Sequence, residues 1–441
     1  MAQIPVEEAW ERLIFTAMPR NLIKNTPPRT LVLLLLGLAS VVKLLWAMNS
    51  VGSCDVMLFI TFAKRMDAAP MALLYERTTI FNHTPLTGWM AKSLWNATGH
   101  DDLHFALILR MGSIVADIAL VLGLLRVRAL TGRPPWWALC LFAASPVSIM
   151  VSGFHGNVDP IMVAFLFYAA LAVLTGRPIL SGVMFGLACN IKIVPILLAP
   201  AFLLYWIGRG RRSAAGFMIA SGVLMLAGAS YGLIQCPAAF LRNVFGYGSL
   251  WGGWGFTYWL RETGAPAFQI MDFSGLSAPQ NEVMLALKII LLAGMFLIAW
   301  RRRALGGLDF FTTLGAAFTW FFIFTSGAGV QYMVWFAPFL LLLSPRWWLA
   351  LTAGSTVYLA RYYQSGSLTP FPWDFSFPKG PEVPYWAPWT NLVWATFIAL
   401  LCLRARSWLW PGSISPAVSA SPSSQDKPAS PALLQAEAVE S

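Results

Sequence analysis

The sequence predicts an all-α, polytopic integral membrane protein of about twelve transmembrane segments, one pair of them a short broken-helix hairpin, with a long loop after the first span. Three observations carry that reading. Apolar runs of roughly 20 residues, the length that crosses a bilayer as a helix, recur along the chain. Hydrophobic residues make up 58% of the 441 and charged residues 11%, with a mean hydropathy of +0.65, which excludes the soluble classes. Lysine and arginine concentrate in short segments between the runs, the pattern of loops kept on the inner side. The net charge of +11 therefore reads as membrane topology and not as a nucleic-acid surface. Cys54, Cys140, Cys189, Cys236 and Cys402 are scattered without a CxxC or Cys/His cluster, which argues against structural zinc and a disulfide framework.

From the N-terminus, Met1 to Arg29 carries Trp10, Leu13, Ile14, Met18, Leu22 and Ile23 at helical spacing with basic residues between them, and is expected to lie on the inner surface. Glu7, Glu8 and Glu11 precede any apolar run, so the first span, Thr30 to Met48, is expected to act as its own targeting signal. Arg20, Lys24 and Arg29 place the N-terminus inside and the loop from Val51 to His104 outside. The second span is expected over Phe105–Leu125, the third over Trp136–Val151 and the fourth over Ile161–Leu174. Ile179–Ile207 has the length of one span, yet as one span it would put Arg209, Arg211 and Arg212 outside. A break at Lys192-Ile193-Val194-Pro195 resolves this, because proline lacks a donor and disfavours helix at the residue before it. Further spans are expected over Ala214–Leu233, Val283–Trp300, Phe310–Thr325, Tyr332–Leu343, Trp347–Ala360 and Leu392–Leu403. Residues 1–412 then form one membrane domain, with 51–104 as its catalytic outer loop. Ser413–Ser441, rich in proline, serine and alanine, reads as a disordered inner tail.

The loop 51–104 is out of character with its surroundings, since it gathers twelve charged or histidine side chains between two apolar runs. Asp55, just past the first span, suits a general base or a cation ligand at headgroup depth, and equally a helix N-cap. Tyr75, Glu76, Arg77 and His83 lie in one short polar segment, in which Arg77 can fork onto a phosphate. His155, Asn157 and Asp159 form a second outer turn, able to bond acceptor hydroxyls or, through Asp159, to cap the fourth span. Lys192, deep in an apolar segment, calls for an anionic partner unless it snorkels to the interface.

Four ordered stretches resemble the membrane-embedded GT-C glycosyltransferases, which use polyprenyl-phosphate sugar donors. They are Asp55 with Phe59 and Ala63; Tyr75-x-Arg77-x-Thr79 with Thr84-Pro85-Leu86 and Gly88-Trp89; Gly156-Asn157 followed by Gly186 and Lys192-x-x-Pro195; and Gln331-Tyr332-x-x-Trp335. Within that superfamily the chain is most similar to the first mannosyltransferases of glycosylphosphatidylinositol synthesis and to bacterial polyprenyl-phosphate mannosyltransferases. The eukaryotic group carries an Asp-x-Asp pair in the first loop, whereas here Ser53 stands at its first position.

What the resemblance implies is a single inverting displacement that moves a hexose, expected to be mannose, onto a lipid or glycan acceptor. Asp55 would be the base and Arg77, Lys192 and Arg361 would stabilise the lipid phosphate. Tyr75, Glu76, His83, His155, Asn157, Asp159, Gln331 and Tyr332 would contact substrate. No cofactor is required by this reading, although the lone carboxylate leaves room for a magnesium or manganese ion. The expected partners are the polyprenyl-phosphate sugar, the acceptor and membrane lipids, at the periplasmic face of a bacterial inner membrane. A twelve-helix transporter or translocator of lipid-linked sugar shares the span count, but its first outer loop is ordinarily short.

Overall fold

The computed structural model describes residues 27–246, 251–269, 275–367, 373 and 383–410. The expected surface helix over Met1–Arg29, apart from its last three residues, and the tail Ser413–Ser441 lie outside the described residues.

The described chain is helical, and the expected spans are present, most of them lengthened at an end, while the third and the one expected over Tyr332–Leu343 are broken. Helix α1 is Pro28–Met48, α5 is Asp102–Thr131, α7 Asp159–Leu174, α8 Pro178–Ile191, α9 Ala199–Ile207, α10 Arg211–Gln235, α13 Ala278–Arg302, α14 Leu308–Phe324, α15 Ala337–Leu343, α16 Pro345–Gly366 and α17 Val383–Leu409. The loop after the first span folds into three helices, α2 (Cys54–Ala68), α3 (Met71–Arg77) and α4 (Pro85–Ala97). The third span begins with α6 (Trp136–Ala143), and α11 (Pro237–Phe245) and α12 (Gly255–Glu262) fill the loop before α13. Six of these segments are long and apolar enough to cross a membrane, and five shorter apolar ones lie among them. With the 22 residues of α16 they make up the expected dozen.

Several helices carry a proline at their first or second residue, as α1, α4, α7 and α8 do, where the missing N–H is one that the first turn cannot pair anyway. Gly132, at φ 73°, ends α5 in the left-handed conformation that glycine takes without penalty. A capping box, Ser277 with Gln280, starts α13.

The broken hairpin is present. Gly182 faces Phe217, Gly186 faces Ser221 and Asn190 fills the space against Gly228, so α8 and α10 run parallel, side by side. The chain between them must therefore return. It does so through a 3₁₀ turn, Val194–Leu198, and α9, whose Trp206 Nε1 donates to Ser181 Oγ near the start of α8. The arginine-bearing turns then meet at one end of the bundle: Arg209 packs on Gly306, and Arg302 Nη1 donates to Ser407 O at 3.5 Å.

Against a simple span over Trp136–Val151, the third crossing breaks after α6 at Ser145-Pro146. It resumes as a π-helix, Ile149–His155, a form that concentrates at functional sites. Two buried cations hold this segment. Arg110 Nη2 donates to Ala47 O at 2.9 Å and to Ser50 O, and its Nη1 reaches Gly153 O at 3.4 Å. Lys43 pairs with Asp117 Oδ2 and donates to Ser148 Oγ, each at 2.7 Å. A Cβ on Gly153 would lie 2.9 Å from Lys43 Cα, so α1 and the π-helix touch backbone to backbone.

Candidate active site

Ser53, not Asp55, caps α2: its Oγ accepts from Asp55 N at 3.2 Å and donates to His155 O at 2.7 Å. The hydroxyl is thereby committed in both directions, which gives a physical reason for serine at this position. The Asp55 side chain is left free to turn toward the π-helix. Its Oδ2 accepts from Asn157 Nδ2 at 2.5 Å and from His155 Nε2 at 3.1 Å. Gly156, at φ 73°, lets the chain place both donors on one oxygen, and a Cβ there would come within 2.3 Å of Val56 Cγ2. The histidine side chain is 1% exposed and the aspartate 21%, so one edge of the carboxylate is fixed and the other can be reached. Burial pushes this carboxyl up, but the charge and hydrogen bond of His155, the Asn157 amide and the charge of Lys192 outweigh it and hold it at about 2.

Lys192 reaches the same neighbourhood because α8 stops just before it. The carbonyls that a helix end leaves without partners are taken by side chains of the first outer loop. Thr84 Oγ1 donates to Asn190 O, Thr87 Oγ1 to Ile191 O at 3.0 Å, and His83 Nδ1 lies 3.4 Å from Ile191 O. Burial, then the charge of Lys192, push His83 down to about 3, so its ring is neutral at any working pH. Lys192 itself is extended, at φ −152° and ψ 136°. Its ammonium lies 3.0 and 3.2 Å from the two oxygens of Asp159 and over the rings of Tyr332 and Trp335 at 4.7 and 5.2 Å. Trp335 Nε1 donates to Asp159 Oδ1 at 2.5 Å. Asp159 thus serves the lysine and does not cap α7, whose N-cap is Val158. Snorkelling is excluded, since Lys192 is only 6% exposed.

Beside this pair opens a cavity of about 270 Å³. Lys192, Tyr332 and Trp335 line it, together with Phe321 and Phe324 of α14 and Leu291 of α13. Asp55 is not on the lining. It connects to the cavity through Lys192, whose charge acts on it.

The remaining sequence-predicted residues are placed as follows. Tyr75 is buried and its hydroxyl donates to His83 O at 2.7 Å, which makes it a brace for that loop. Glu76 and Arg77 are exposed at the end of α3. Arg361 is exposed as well, stacked over Trp389 at 4.8 Å. Gln331, half-buried, folds back against Gly329. Among the described residues no three His, Cys, Asp or Glu side chains converge as a metal site would require, and Asp159 is tied to Lys192. Asp55 is the one reachable carboxylate left in this cluster, and His155 and Asn157 hold one of its oxygens. The sequence reading missed Ser53, Asn190, Trp335 as a partner of Asp159, and Tyr362, whose hydroxyl lies 3.9 Å from Cys54 Sγ. For Trp335 the signal was there, three residues after a conspicuous Gln-Tyr pair. For Asn190 it was not, since one amide in an apolar helix is unremarkable until Gly228 is seen across from it.

Residues 76–208 match the family model described as alpha-(1->6)-mannopyranosyltransferase, N-terminal domain. The stretch includes His83, His155, Asn157, Asp159 and Lys192 and stops short of Asp55 and Trp335. No curated protein matches the chain. With the apolar helices, the match supports a membrane glycosyltransferase of the GT-C type that acts on mannose, with a sugar donor, an acceptor and lipid around it.

Proposed function

We propose that the chain is an inverting mannosyltransferase that takes mannose from a polyprenyl-phosphate mannose and adds it to a hydroxyl of a lipid or glycan acceptor, at the outer face of a bacterial inner membrane. One observation carries this reading: a reachable carboxylate, Asp55, is fixed by His155 and Asn157 within electrostatic range of Lys192, which lines an apolar cavity.

The step is a single displacement. The acceptor oxygen attacks the anomeric carbon, the bond from that carbon to the phosphate oxygen breaks, and Asp55 takes the acceptor's proton. A carboxylate held near 2 is a weak base, so the proton moves late, as the new bond forms, rather than ahead of attack. Two of the three ammonium protons of Lys192 face Asp159, which leaves one for a phosphate oxygen. Arg77 and Arg361, both exposed, take no part in this scheme. If the product is an α-1,6 linkage, as the description of the matching family has it, inversion requires a β-linked donor and the attacking group is a primary alcohol.

The test is transfer of label from a radiolabelled polyprenyl-phosphate mannose by the purified full-length protein. Asp55→Asn is expected to lower the rate by about 10²–10⁴-fold, the usual share of a general base, with an unchanged melting profile. Near-normal turnover in that variant sinks the assignment of Asp55.

A further inference from the structure

Of the two cations that line the cavity, Lys192 is neutralised by Asp159 at 3.0 Å, while Lys288 has no hydrogen-bond or carboxylate partner among the described residues. Lys288 is the eleventh residue of α13, about 15 Å along that helix from its start at a rise of 1.5 Å per residue. The polar cap of α13 ends at Glu282, so Lys288 stands about 8 Å past the first apolar residue, Val283. It is exposed, and it shares its face with Leu285, Ile289 and Leu292, which are 59%, 59% and 53% exposed. Residues 285, 288, 289 and 292 follow the spacing of one helical stripe. Met284, Leu287 and Leu291, on the adjoining face, are buried. The stripe is therefore the lipid-facing side of α13, with one ammonium on its border, at the edge where Leu291 and Leu292 join the cavity wall.

An ammonium without a counter-charge on a lipid-facing stripe is costly, and lysines so placed mark the paths of charged ligands. The counter-charge has to approach from the bilayer side. An anion carried on a long apolar chain does so naturally: its tail lies along the exposed leucines and isoleucines while its head enters a cavity walled by Phe321, Phe324 and Leu291. We infer that Lys288 is a second phosphate-binding residue, at the mouth of this cavity, and that its ligand is a phosphorylated polyisoprenoid arriving sideways from the membrane. A free phosphate would meet the same ammonium but gain nothing from the apolar walls, so the lipid-borne form is favoured.

The kinetic arm of this inference rests on the donor reading given above, whereas the binding arm does not. Binding of a radiolabelled C55 polyprenyl monophosphate, carrying no sugar, is measured on full-length protein in zwitterionic nanodiscs. The parent is compared with Lys288→Met, which keeps the length and removes the charge, and with Lys288→Arg. The expected result is a Kd raised about tenfold in the methionine variant and restored in the arginine variant, with C55 polyprenol binding alike in all three. Equal monophosphate binding by parent and Lys288→Met overturns the proposal, and so does a parallel loss of polyprenol binding, which would mean that the side chain only packs. Displacement of the lipid by millimolar inorganic phosphate also overturns it, because the site would then read a free anion. In the transfer assay Lys288→Met is expected to raise the donor KM by the same factor. Should the parent transfer no mannose at all while the binding pattern holds, the enzymatic reading falls and Lys288 stands.

Discussion

Two buried lysine–aspartate pairs sit in this bundle, and their surroundings are unlike. Lys43 meets Asp117 and Ser148 at 2.7 Å in the seam between α1, α5 and the turn that precedes the π-helix. The backbone around the lysine is unbroken helix, and the space beside the pair is about 20 Å³, room for one water. Lys192 meets Asp159 at 3.0 Å where one helix has stopped and a 3₁₀ turn has begun, beside aromatic rings and a cavity of about 270 Å³. Burial of a charge therefore shows only that a partner exists. It is the broken backbone next to a cavity that marks a ligand, since irregular chain at membrane depth is tolerated where it lines one.

Replacing each pair by apolar residues is the strongest way to break this comparison. Removing one partner alone leaves a buried charge and costs about 3–5 kcal/mol in either place, so single substitutions do not discriminate. Removing both is often neutral or stabilising. Lys43→Met with Asp117→Leu is expected to keep the melting temperature and stay within a few-fold of the parent's transfer rate. Lys192→Met with Asp159→Leu is expected to melt similarly and to lose about 10²–10³ in rate, the usual cost of removing one charge-stabilising group. Melting in detergent and initial rates on the same preparations check both. A comparable loss of rate in the two double variants would erase the distinction drawn between them.

The same contrast explains what was legible in the sequence. Lys192 stood out because Pro195 and the misplaced arginines after α9 demanded a break, and charge topology is written in local sequence. Lys43 sat inside an otherwise ordinary span and its partner lay 74 residues on, so nothing local announced it. The spans, the hairpin and the proximity of Asp55 to Lys192 followed from hydropathy, proline and order of motifs. The π-helix did not, because its extra residue per turn leaves no mark on apolar periodicity, and it is this segment that aims His155 and Asn157. Ser53 looked like a gap in a motif until its hydroxyl was seen bonded at both ends. Arg77 and Arg361 are exposed in the structure, and this too was not legible: composition places a charge in a loop but says nothing about which way the loop faces.

A smaller effect is expected from His155→Gln, which keeps a donor near Asp55 and removes the imidazole. Burial raises the Asp55 carboxyl and His155 is the foremost influence that lowers it, so the substitution moves the carboxyl upward from about 2. Asp55 must be ionised to accept a proton. In the parent, its own titration therefore leaves transfer flat from pH 8 to pH 4. In the variant the acid limb rises to higher pH, and each unit of that rise is a tenfold loss on the acid side. The sign for stability is separate. A depressed carboxyl contributes stability that is present above its unfolded value of about 3.9 and disappears as pH falls toward its folded value, so parent melting should not change between pH 8 and pH 5 on this account. A pH–rate profile identical to the parent's would detach His155 from Asp55.

The smallest expected effect is also the most local. Thr87 is fully buried and its hydroxyl bonds the carbonyls of Asn190 and Ile191, at 3.3 and 3.0 Å. Thr87→Val keeps the shape and deletes those bonds. Both carbonyls retain a second partner, Asn190 O through Thr84 and Ile191 O through the His83 ring, so the cost is near the net worth of one hydrogen bond, about 1 kcal/mol, rather than that of an orphaned carbonyl. If the threonine merely stabilises the loop, melting drops slightly and kinetics stay as they were. If it holds the end of α8 where Lys192 can turn toward Asp159, the donor KM rises several-fold while kcat changes less. The second outcome is expected, because one carbonyl that Thr87 bonds belongs to Ile191, the residue immediately before the lysine.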